Sequence, residues 1–516
     1  MKTKMRDERC IPVIVGVGQL NDRAEDDASA LDTLSLMRMA LELADRDGGG
    51  GWLCQSEFLG IVEQMSWPTA HWPGPHKITP YLLAALHLTP RYVELTSEPS
   101  GDSPVRLLND AANLIGSGQV AVAAVVGGEA LRTESRRGVR ESTAAGGAAK
   151  QDLIREVTER RAGPFCKKHG LLTPTDVYPL YENACRAAWR QSLSEAQAET
   201  AAIWSGMSAA AVENPGAWIR RRHEPAELLA ATPDNRPISF PYRKLMVANN
   251  SVNQGAAVIL ASVAKAREMG VPEERWVYLG PGAAAHEPDD FLARDRFDVS
   301  PSMQVSIQRT LELNELSSAD LDCVELYSCF PCVPKMARRV LSWPLERPHS
   351  VYGGLTFGGG PIGNSMMHAA VAMTEKLRVS GRHGLIFGNG GIATHNHCIV
   401  LRRTAAAVPF PQSYDYQTEA DALRGDVPSL NESYLGPGWV ETFMVPFGRA
   451  GQPLFGTVVG RNPAGERFVC RVPPTDDAGL KVLMSGEIEA VGQHGTARRG
   501  PDDLIEWQFS CSERGQ

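Results

Sequence analysis

The tetrapeptide Cys329-Phe330-Pro331-Cys332 places two thiols at the spacing of a C-x-x-C motif. A cysteine thiolate can attack a carbonyl carbon or exchange with a disulfide when its surroundings lower the pKa of the thiol. Two buried thiols that pack as small apolar side chains fit the same pattern. The residues leave both interpretations open, a reactive pair and two inert core cysteines.

The stretch YGGLTFGGGPIGNSMMH, residues 352–368, contains six glycines, which lets the main chain turn sharply and lets a ligand approach it. Asn364 and Ser365 can cap a following helix, whose first N–H groups would point at a polar ligand. A tight turn without a ligand fits equally. His368 follows on that helix and has an unperturbed pKa near neutrality, so it suits either an acid/base or a satisfied core histidine.

His395, His397 and Cys398 are residue types that bind metals. In a strand, however, the two histidines face one side and the cysteine faces the other. A zinc site also requires further ligands within reach. We therefore predict no metal site here.

Composition excludes several classes of protein. The chain has 516 residues, 43% hydrophobic and 22% charged, which is an ordinary globular composition for two to four domains. A net charge of −8 argues against nucleic acid or an anionic membrane as the main partner. No run of eighteen apolar residues predicts a membrane span, and the start lacks a signal-peptide pattern. Ten cysteines without a dense framework predict reduced thiols in the cytoplasm.

Alternating apolar runs and helical periodicities predict an α/β protein. Residues 92–95 and 120–126 are predicted strands that flank a helix beginning at Ser103, with proline at the next position. Such a β-α-β unit implies a parallel sheet covered by helices. Similar units recur around residues 323–326 and 384–401.

The pattern changes along the chain in a way that predicts separate domains. Residues 131–235 are charged and alanine-rich and predict a helical insertion, whereas residues 405–437 have the composition of a linker. Beyond them, the segments VETFMV, LFGTVVG, RFVCRV and SGEIEAVG predict short strands of a small barrel or sandwich. The predicted domains are residues 1–275 including the insertion, 276–404, the linker 405–437, and a β domain at 438–516.

Four motifs in this order resemble the thiolase superfamily: the unit SGDSP…IGSGQ…VVGGEA, then NNSVNQGAAVILAS, GGGPIGNS and NGGIA. The resemblance covers about residues 9–403 and is closest to the sterol-carrier-protein-type and thiolase-like branch. It implies a thiolase fold, with two similar five-stranded halves packed as five αβαβα layers, a helical loop domain over a coenzyme A site, and a homodimer. The C-terminal strands resemble the extra all-β, OB-like domain of some bacterial thiolase-like proteins.

The family's catalytic side chains are absent from the matching positions. The nucleophilic cysteine falls at or beside Gly101, and the histidine of the Gly-His-Pro motif becomes Gly360. The Cys-x-Gly motif falls near Asn389 and Gly390, and the oxyanion-hole position becomes Tyr327. The standard Cys/His/Cys mechanism is therefore not expected.

The resemblance directs attention to two sets of residues. The residues that could still take part in a reaction, through acid/base, thiol or hydroxyl groups, are Tyr327, His368, Cys329 and Ser103. Those expected to shape the coenzyme A pocket are Asn250, Ser251, Gly101, Gly360, Asn389 and Gly390.

We expect an acyltransferase that makes or breaks a carbon–carbon bond in an acyl-CoA or similar thioester, with coenzyme A as substrate and no permanently bound cofactor. One alternative is an aldolase-type lyase acting on a β-hydroxyacyl-CoA, because thiolase-fold retro-aldolases also lack the cysteines, use tyrosines and work with an OB-fold partner. Another alternative is a non-catalytic protein that binds coenzyme A as a scaffold.

Overall fold

The computed structural model describes residues 7–67, 77–144 and 163–510. The α-helices are α1 Thr33–Asp47, α2 Thr79–Leu86, α3 Ser103–Gly116, α4 Leu131–Ala144, α5 Pro164–Lys168, α6 Pro174–Ala188, α7 Leu193–Glu213, α8 Pro225–Leu229, α9 Val263–Glu268, α10 Pro301–Leu313, α11 Cys332–Val340, α12 Ser365–Val379, α13 Gln417–Leu423 and α14 Asp477–Met484. The strands are β1 Pro12–Asn21, β2 Phe58–Ile61, β3 Tyr92–Leu95, β4 Val122–Glu129, β5 Pro237–Ser239, β6 Tyr242–Arg243, β7 Gln254–Ser262, β8 Val277–His286, β9 Cys323–Leu326, β10 His383–Gly390, β11 His395–Arg402, β12 Gly436–Met444, β13 Gly456–Arg461, β14 Arg467–Val472, β15 His494–Arg499 and β16 Ile505–Phe509.

A mixed sheet of nine strands, in the order β3-β2-β4-β7-β1-β8-β11-β10-β9, forms the centre of the molecule. The predicted β-α-β unit is confirmed, because β3 and β4 both lie parallel to β2 and α3 connects them. The halves meet where Val13 and Ile14 of β1 pair with β8. The first half has five strands, as the resemblance implied, whereas the second has four within the described residues.

Alternate side chains of the sheet enter two different cores, which produces the layered architecture. Val13 and Val15 pack in the core that contains Met37 of α1, whereas Ile14 packs in the core that contains Leu108 of α3. Helices α3 and α12 contact strands of both halves. Strand β4 is apolar along most of its length because helices cover both of its faces.

The described parts of the predicted helical insertion, residues 131–144 and 163–235, contain α4 to α8. Residues 145–162 lie outside the described part of the chain. The predicted linker, 405–437, contains α13, which packs on α10 through an ion pair between Arg309 and Glu419.

The C-terminal strands close into a barrel in the order β12-β13-β14-β16-β15, which is consistent with an OB-like domain. The prediction of a strand at SGEIEAVG, residues 485–492, was wrong. This segment follows α14 as an irregular turn in which Gly486 has a φ of 68°, and the next strand begins only at His494. The alternation of Ile488 and Ala490 with glutamates resembled a strand, but among the described residues only Gly492, at the end of the segment, bonds to a neighbouring strand, donating to the carbonyl oxygen of Val440 in β12 at 2.8 Å.

Buried polar contacts fix the barrel to the rest of the molecule. The side chain of Arg467 is fully buried; it donates to Glu441 Oε1 at 2.7 Å and to the carbonyl oxygen of Arg294 at 2.7 Å. Thr457 donates to the carbonyl oxygen of His169 at 2.8 Å. The barrel therefore has a fixed position against both the core and the insertion.

Replacement of Arg467 should destabilise this joint strongly. We expect Arg467→Ala to lower the free energy of unfolding by about 2–4 kcal/mol, because it removes the buried hydrogen bonds to Glu441 and to the carbonyl oxygens of Leu292 and Arg294, although Arg461 still pairs with Glu441. Urea denaturation followed by tryptophan fluorescence measures the change. Arg499→Ala is the control, since its ion pair with Asp503 is exposed and such pairs contribute little. Equal stability losses in the two variants would contradict the role of Arg467.

Candidate active site

Gly101, at the start of α3, lies against the side chain of Tyr327 and the main chain of Asn389. A Cβ atom added to Gly101 would overlap the Tyr327 hydroxyl and the Asn389 carbonyl oxygen. The main-chain N–H of Tyr327, just beyond β9, donates to the carbonyl oxygen of Phe387 at 3.1 Å and holds the residue at the end of β10. The tyrosine hydroxyl therefore fills the space that a side chain at position 101 would need.

The phenol of Tyr327 is buried, with 8% of the residue exposed. Burial holds the pKa of Tyr327 well above its usual range, and nearby Cys329 and Asp102 raise it further. At neutral pH this side chain is a neutral phenol that can donate a hydrogen bond or a proton. Asp102 itself accepts a hydrogen bond from the Ser100 hydroxyl.

Cys329 and Cys332 are both buried and carry free thiols. Burial raises the pKa of Cys329 to about 12 and holds that of Cys332 well above its usual range. Both thiols are therefore protonated at neutral pH, which favours packing over nucleophilic or redox chemistry. The hydroxyl of Tyr178, on α6, lies beside Cys329 and accepts from the N–H of Ala393 at 2.9 Å.

The glycine-rich stretch is fixed at its start by Glu325 of β9. Its carboxylate accepts from the Ser350 hydroxyl at 2.7 Å and from the N–H of Val351 at 2.9 Å. Further along, the N–H of Gly360 donates to the carbonyl oxygen of Asn249 at 2.9 Å. A Cβ atom at Gly360 would lie 2.9 Å from Asn250 Oδ1, so glycine permits this close approach. The stretch thereby contacts the segment that the resemblance assigned to coenzyme A.

His368 is fully buried on α12, and its Nδ1 lies 3.0 Å from Gln19 Oε1. Its ring stacks on Tyr352 with centroids 6.0 Å apart. Burial lowers the pKa of His368 to about 3, so the imidazole is neutral at physiological pH. The contacts found among the described residues do not place it beside Tyr327, and its acid/base role stays a prediction.

The remaining predicted positions surround the start of α3. Ser103 is buried in the first turn, and its N–H donates to the carbonyl oxygen of Ser100 at 3.1 Å. Asn389 is fully buried and donates to Asn396 Oδ1 at 2.9 Å. A Cβ atom at Gly390 would overlap the Ser100 hydroxyl and the Asp102 carboxylate. Gly390 therefore allows β10 to pack closely against the residues around Tyr327.

His397 is buried, and its Nε2 lies 2.6 Å from the side-chain nitrogen of Asn109. Burial lowers the pKa of His397 to about 4. Within residues 7–67, 77–144 and 163–510, His, Cys, Asp and Glu side chains form no group of three or more that could hold a metal ion.

A cavity of about 500 Å³ lies between the insertion, residues 236–250 and the barrel. Its lining includes Ala248, Asn250 and Phe330, and the N–H of Ala248 donates to the carbonyl oxygen of Cys329 at 3.0 Å. Phe330 stacks on Tyr178 with ring centroids 4.3 Å apart. Only the lining residue Ala248 therefore separates the cavity from the Cys329 backbone. Ser251, which follows the lining residue Asn250 in the chain, is exposed.

Sequence reasoning named Asn250, which lines the cavity, but did not name Tyr178 or the barrel residues of the lining, Phe447, Phe455 and Arg471. Tyr178 lies within the helical pattern of the insertion and shows no motif of its own. The barrel residues are far from Asn250 in sequence, and only tertiary packing brings them to the same cavity.

Comparisons with known proteins agree with this architecture. Residues 417–500 match the family model of the thiolase-like protein type 1 additional C-terminal domain. A crystal structure of a monomeric SCP2-thiolase-like protein type 1 from Mycobacterium smegmatis superposes with a TM-score of 0.80 at 26% identity, covering 98% of this chain and 100% of that chain. A search of curated protein sequences finds no match.

Two more distant structures share the fold. Human mitochondrial 3-ketoacyl-CoA thiolase in complex with CoA superposes with a TM-score of 0.58 at 14% identity, covering 77% of this chain and 98% of that chain. The Ltp2-ChsH2(DUF35) aldolase superposes with a TM-score of 0.55 at 15% identity, covering 76% of this chain and 98% of that chain. At these identities the similarity shows the fold alone. Across the described helices, none is long and apolar enough to cross a membrane.

A side chain at position 101 should be incompatible with Tyr327. We expect Gly101→Ala to lower the free energy of unfolding by about 1–3 kcal/mol through overpacking. In the Tyr327→Ala background the loss should be smaller by about 0.5 kcal/mol or more, because one of the two overlaps is gone. Chemical denaturation of the four proteins measures the coupling.

Gly206→Ala is the matched control, since an added Cβ there meets open space on α7 and alanine favours a helix. It should leave stability unchanged or raise it. Additive losses for Gly101→Ala and Tyr327→Ala would contradict the shared volume.

The contribution of Glu325 to stability should fall as pH rises between about 4.5 and about 7. Burial raises the pKa of Glu325 from 4.5 to about 7, so in this window this carboxyl binds more protons in the folded state than in the unfolded state. The buried imidazoles of His368 and His397 contribute with the opposite sign, because burial lowers their pKa values to about 3 and about 4. The free energy of unfolding of the unaltered protein minus that of Glu325→Gln should therefore decrease across this window, as measured by urea denaturation at each pH. A difference that does not change with pH would show that Glu325 does not titrate there.

Proposed function

We propose that this thiolase-like protein, with its thiolase-like protein type 1 C-terminal domain, binds a CoA thioester and cleaves or forms a carbon–carbon bond without an acyl-enzyme. The observation that carries the proposal is the overlap between Tyr327 and any side chain at position 101. A nucleophile cannot project from Gly101, and the thiols of Cys329 and Cys332 stay protonated. The acyltransferase expected from the sequence therefore has less support than the aldolase-type alternative.

Aldol cleavage of a β-hydroxyacyl-CoA requires a base and a proton donor from the protein. The β-hydroxyl loses its proton, the bond between the α- and β-carbons breaks, and an aldehyde or ketone leaves. The α-carbon of the resulting thioester enolate then gains a proton, so the reaction is balanced without an oxidant or a second substrate. Tyr327, a neutral phenol, is assigned as the proton donor, and the nearby Asp102 is assigned as the base.

The coenzyme A part of the substrate is assigned to the 500 Å³ cavity, which Asn250 helps to line. The human thiolase that shares the fold was crystallised with CoA, which supports this assignment. The fold shared with an aldolase supports the type of reaction. The proposal retains a cytoplasmic location, whereas the family's homodimer has no support in the similar structure described as monomeric.

A second function, non-catalytic binding of coenzyme A, is favoured by the lining of the cavity. That lining includes Phe330 but not Tyr327 or Gly101. The stacked rings of Phe330 and Tyr178 would have to move for a thioester in the cavity to reach Tyr327.

Tyr327→Phe tests the proposal directly. With a panel of β-hydroxyacyl-CoA substrates, the protein should release an aldehyde or ketone and an equal amount of shortened acyl-CoA, without consuming free CoA. The variant should lose about 10²- to 10⁴-fold in kcat, because it lacks the proton donor. Chromatography of the thioesters and trapping of the carbonyl product measure both.

Tyr434→Phe is the control, because its hydroxyl donates to Pro437 within the barrel and is remote from the cavity. Product release that consumes free CoA would instead indicate the acyltransferase. Tight CoA binding without turnover in either protein would indicate the scaffold.

A further inference from the structure

The barrel forms one wall of the 500 Å³ cavity. Phe447, Phe455 and Arg471 line it from the barrel side, facing Thr173 and Asn250 of the thiolase-fold part. The contacts of the barrel with the insertion, such as that of Thr457 with His169, keep this wall in place. A ligand in the cavity would therefore touch both parts of the chain.

Arg471 is held in a fixed position on this wall. Its guanidinium carbon lies 3.4 Å from the centroid of the Phe455 ring. Gly170, with a φ of 74°, passes so close that an added Cβ would lie 2.7 Å from Arg471 Nη1. The aromatic ring and the glycine turn therefore confine the guanidinium. Neither of them presents a carboxylate to its five N–H donors.

The cavity carries an excess of positive charge in a chain whose net charge is −8. Its cationic lining residues are Lys167, Lys168, Arg236 and Arg471, and its only acidic lining residue among those described is Asp176. The Asp176 carboxylate accepts from the Thr173 N–H at 2.9 Å and from the Thr173 hydroxyl at 2.8 Å, which caps α6. Asp176 also interacts electrostatically with Arg471, and Lys168 Nζ donates to the carbonyl oxygen of Asp503 at 2.7 Å. Four cationic residues against one carboxylate still leave the lining with a net positive charge that can attract an anion.

The position of the cations matches an elongated anionic ligand. Three of the four cationic residues, Lys167, Lys168 and Arg471, lie on the insertion and the barrel, whereas Arg236 lies on residues 236–250. The lining residue Asn250 lies beside Gly360, and Phe330 follows Tyr327 by three residues. A ligand with phosphates at one end and a thioester at the other would extend from the first group to the second. Arginine is suited to the phosphate end because its planar N–H groups bind phosphate oxygens in pairs.

We propose that the barrel completes the ligand site, with Arg471 binding a phosphate group of the CoA moiety together with Lys167 and Lys168. The proposal rests on the assignment of a CoA thioester as substrate and extends it by giving the C-terminal domain a role in binding. In this arrangement the C-terminal domain contributes to ligand binding as well as to the stability of the fold. Removal of the domain would expose the phosphate groups of the ligand to water.

Calorimetry on the full-length protein tests the assignment, with CoA, pantetheine and inorganic pyrophosphate as probes. Arg471→Gln should weaken CoA binding roughly tenfold to a hundredfold, the range for a lost hydrogen bond to a charged group. Its effect on pantetheine, which lacks the nucleotide phosphates, should be negligible. Arg498→Gln, an exposed barrel arginine outside the cavity, is the control and should bind CoA as the unaltered protein does.

The melting temperature and circular dichroism of Arg471→Gln show whether the variant is folded. Lys167→Gln provides a second test with little risk to folding, because Lys167 is exposed. Unchanged CoA affinity in a folded Arg471→Gln variant would overturn the proposal. Pyrophosphate binding as tight as that of CoA would also overturn it, because the site would then be one for free phosphates. Calorimetry measures the binding of CoA and not bond cleavage. If CoA binding depends on Arg471 but no substrate is turned over, only the proposed lyase activity is contradicted.

Discussion

The hydroxyl of Tyr327 and a side chain at position 101 would need the same volume, and this exclusion determines the chemistry available to the site. Interiors are close-packed, so two groups cannot share such a space without a shift of the backbone. The start of α3, the end of β9 and the end of β10 converge there, and each contributes a fixed main-chain contact. A buried phenol lies at this point, and it leaves no room for a side chain on residue 101.

Burial then decides the protonation state of the surrounding groups. Cys329, Cys332 and His368 all prefer their neutral forms, because little water reaches them. Tyr327 is likewise neutral. With these four groups neutral, proton transfer to a bound substrate is favoured over attack by a thiolate.

The C-terminal barrel belongs to the same physical unit as the thiolase fold. Arg467 joins it to the core through buried hydrogen bonds, and the insertion packs against it from the other side. Because these contacts fix the barrel relative to the insertion, a cavity can persist between them. The cationic residues of that cavity come from both parts.

Much of the architecture could be predicted from the sequence, because it depends on local pattern. Three examples are the apolar run of β4, the proline at the start of α3 and the helical periodicity of the insertion. Each of these features depends on residues that are close together in the chain. The thiolase resemblance and the separate β domain followed from motif order and a change in periodicity. The error at residues 485–492 arose because alternation of side chains predicts a strand only where the main chain pairs with a partner along its length, and here only Gly492 bonds to β12.

The sequence by itself determined that glycines occupy positions 101 and 360, which the thiolase resemblance matches, at or beside these residues, to a cysteine and a histidine. Only the tertiary structure decided that Tyr327 fills the first of these spaces, that His368 is buried beside Gln19, and that Arg471 faces Asn250 across a cavity. The reason is that residue identity is a local property, whereas burial, overlap and charge proximity arise between residues far apart in the chain.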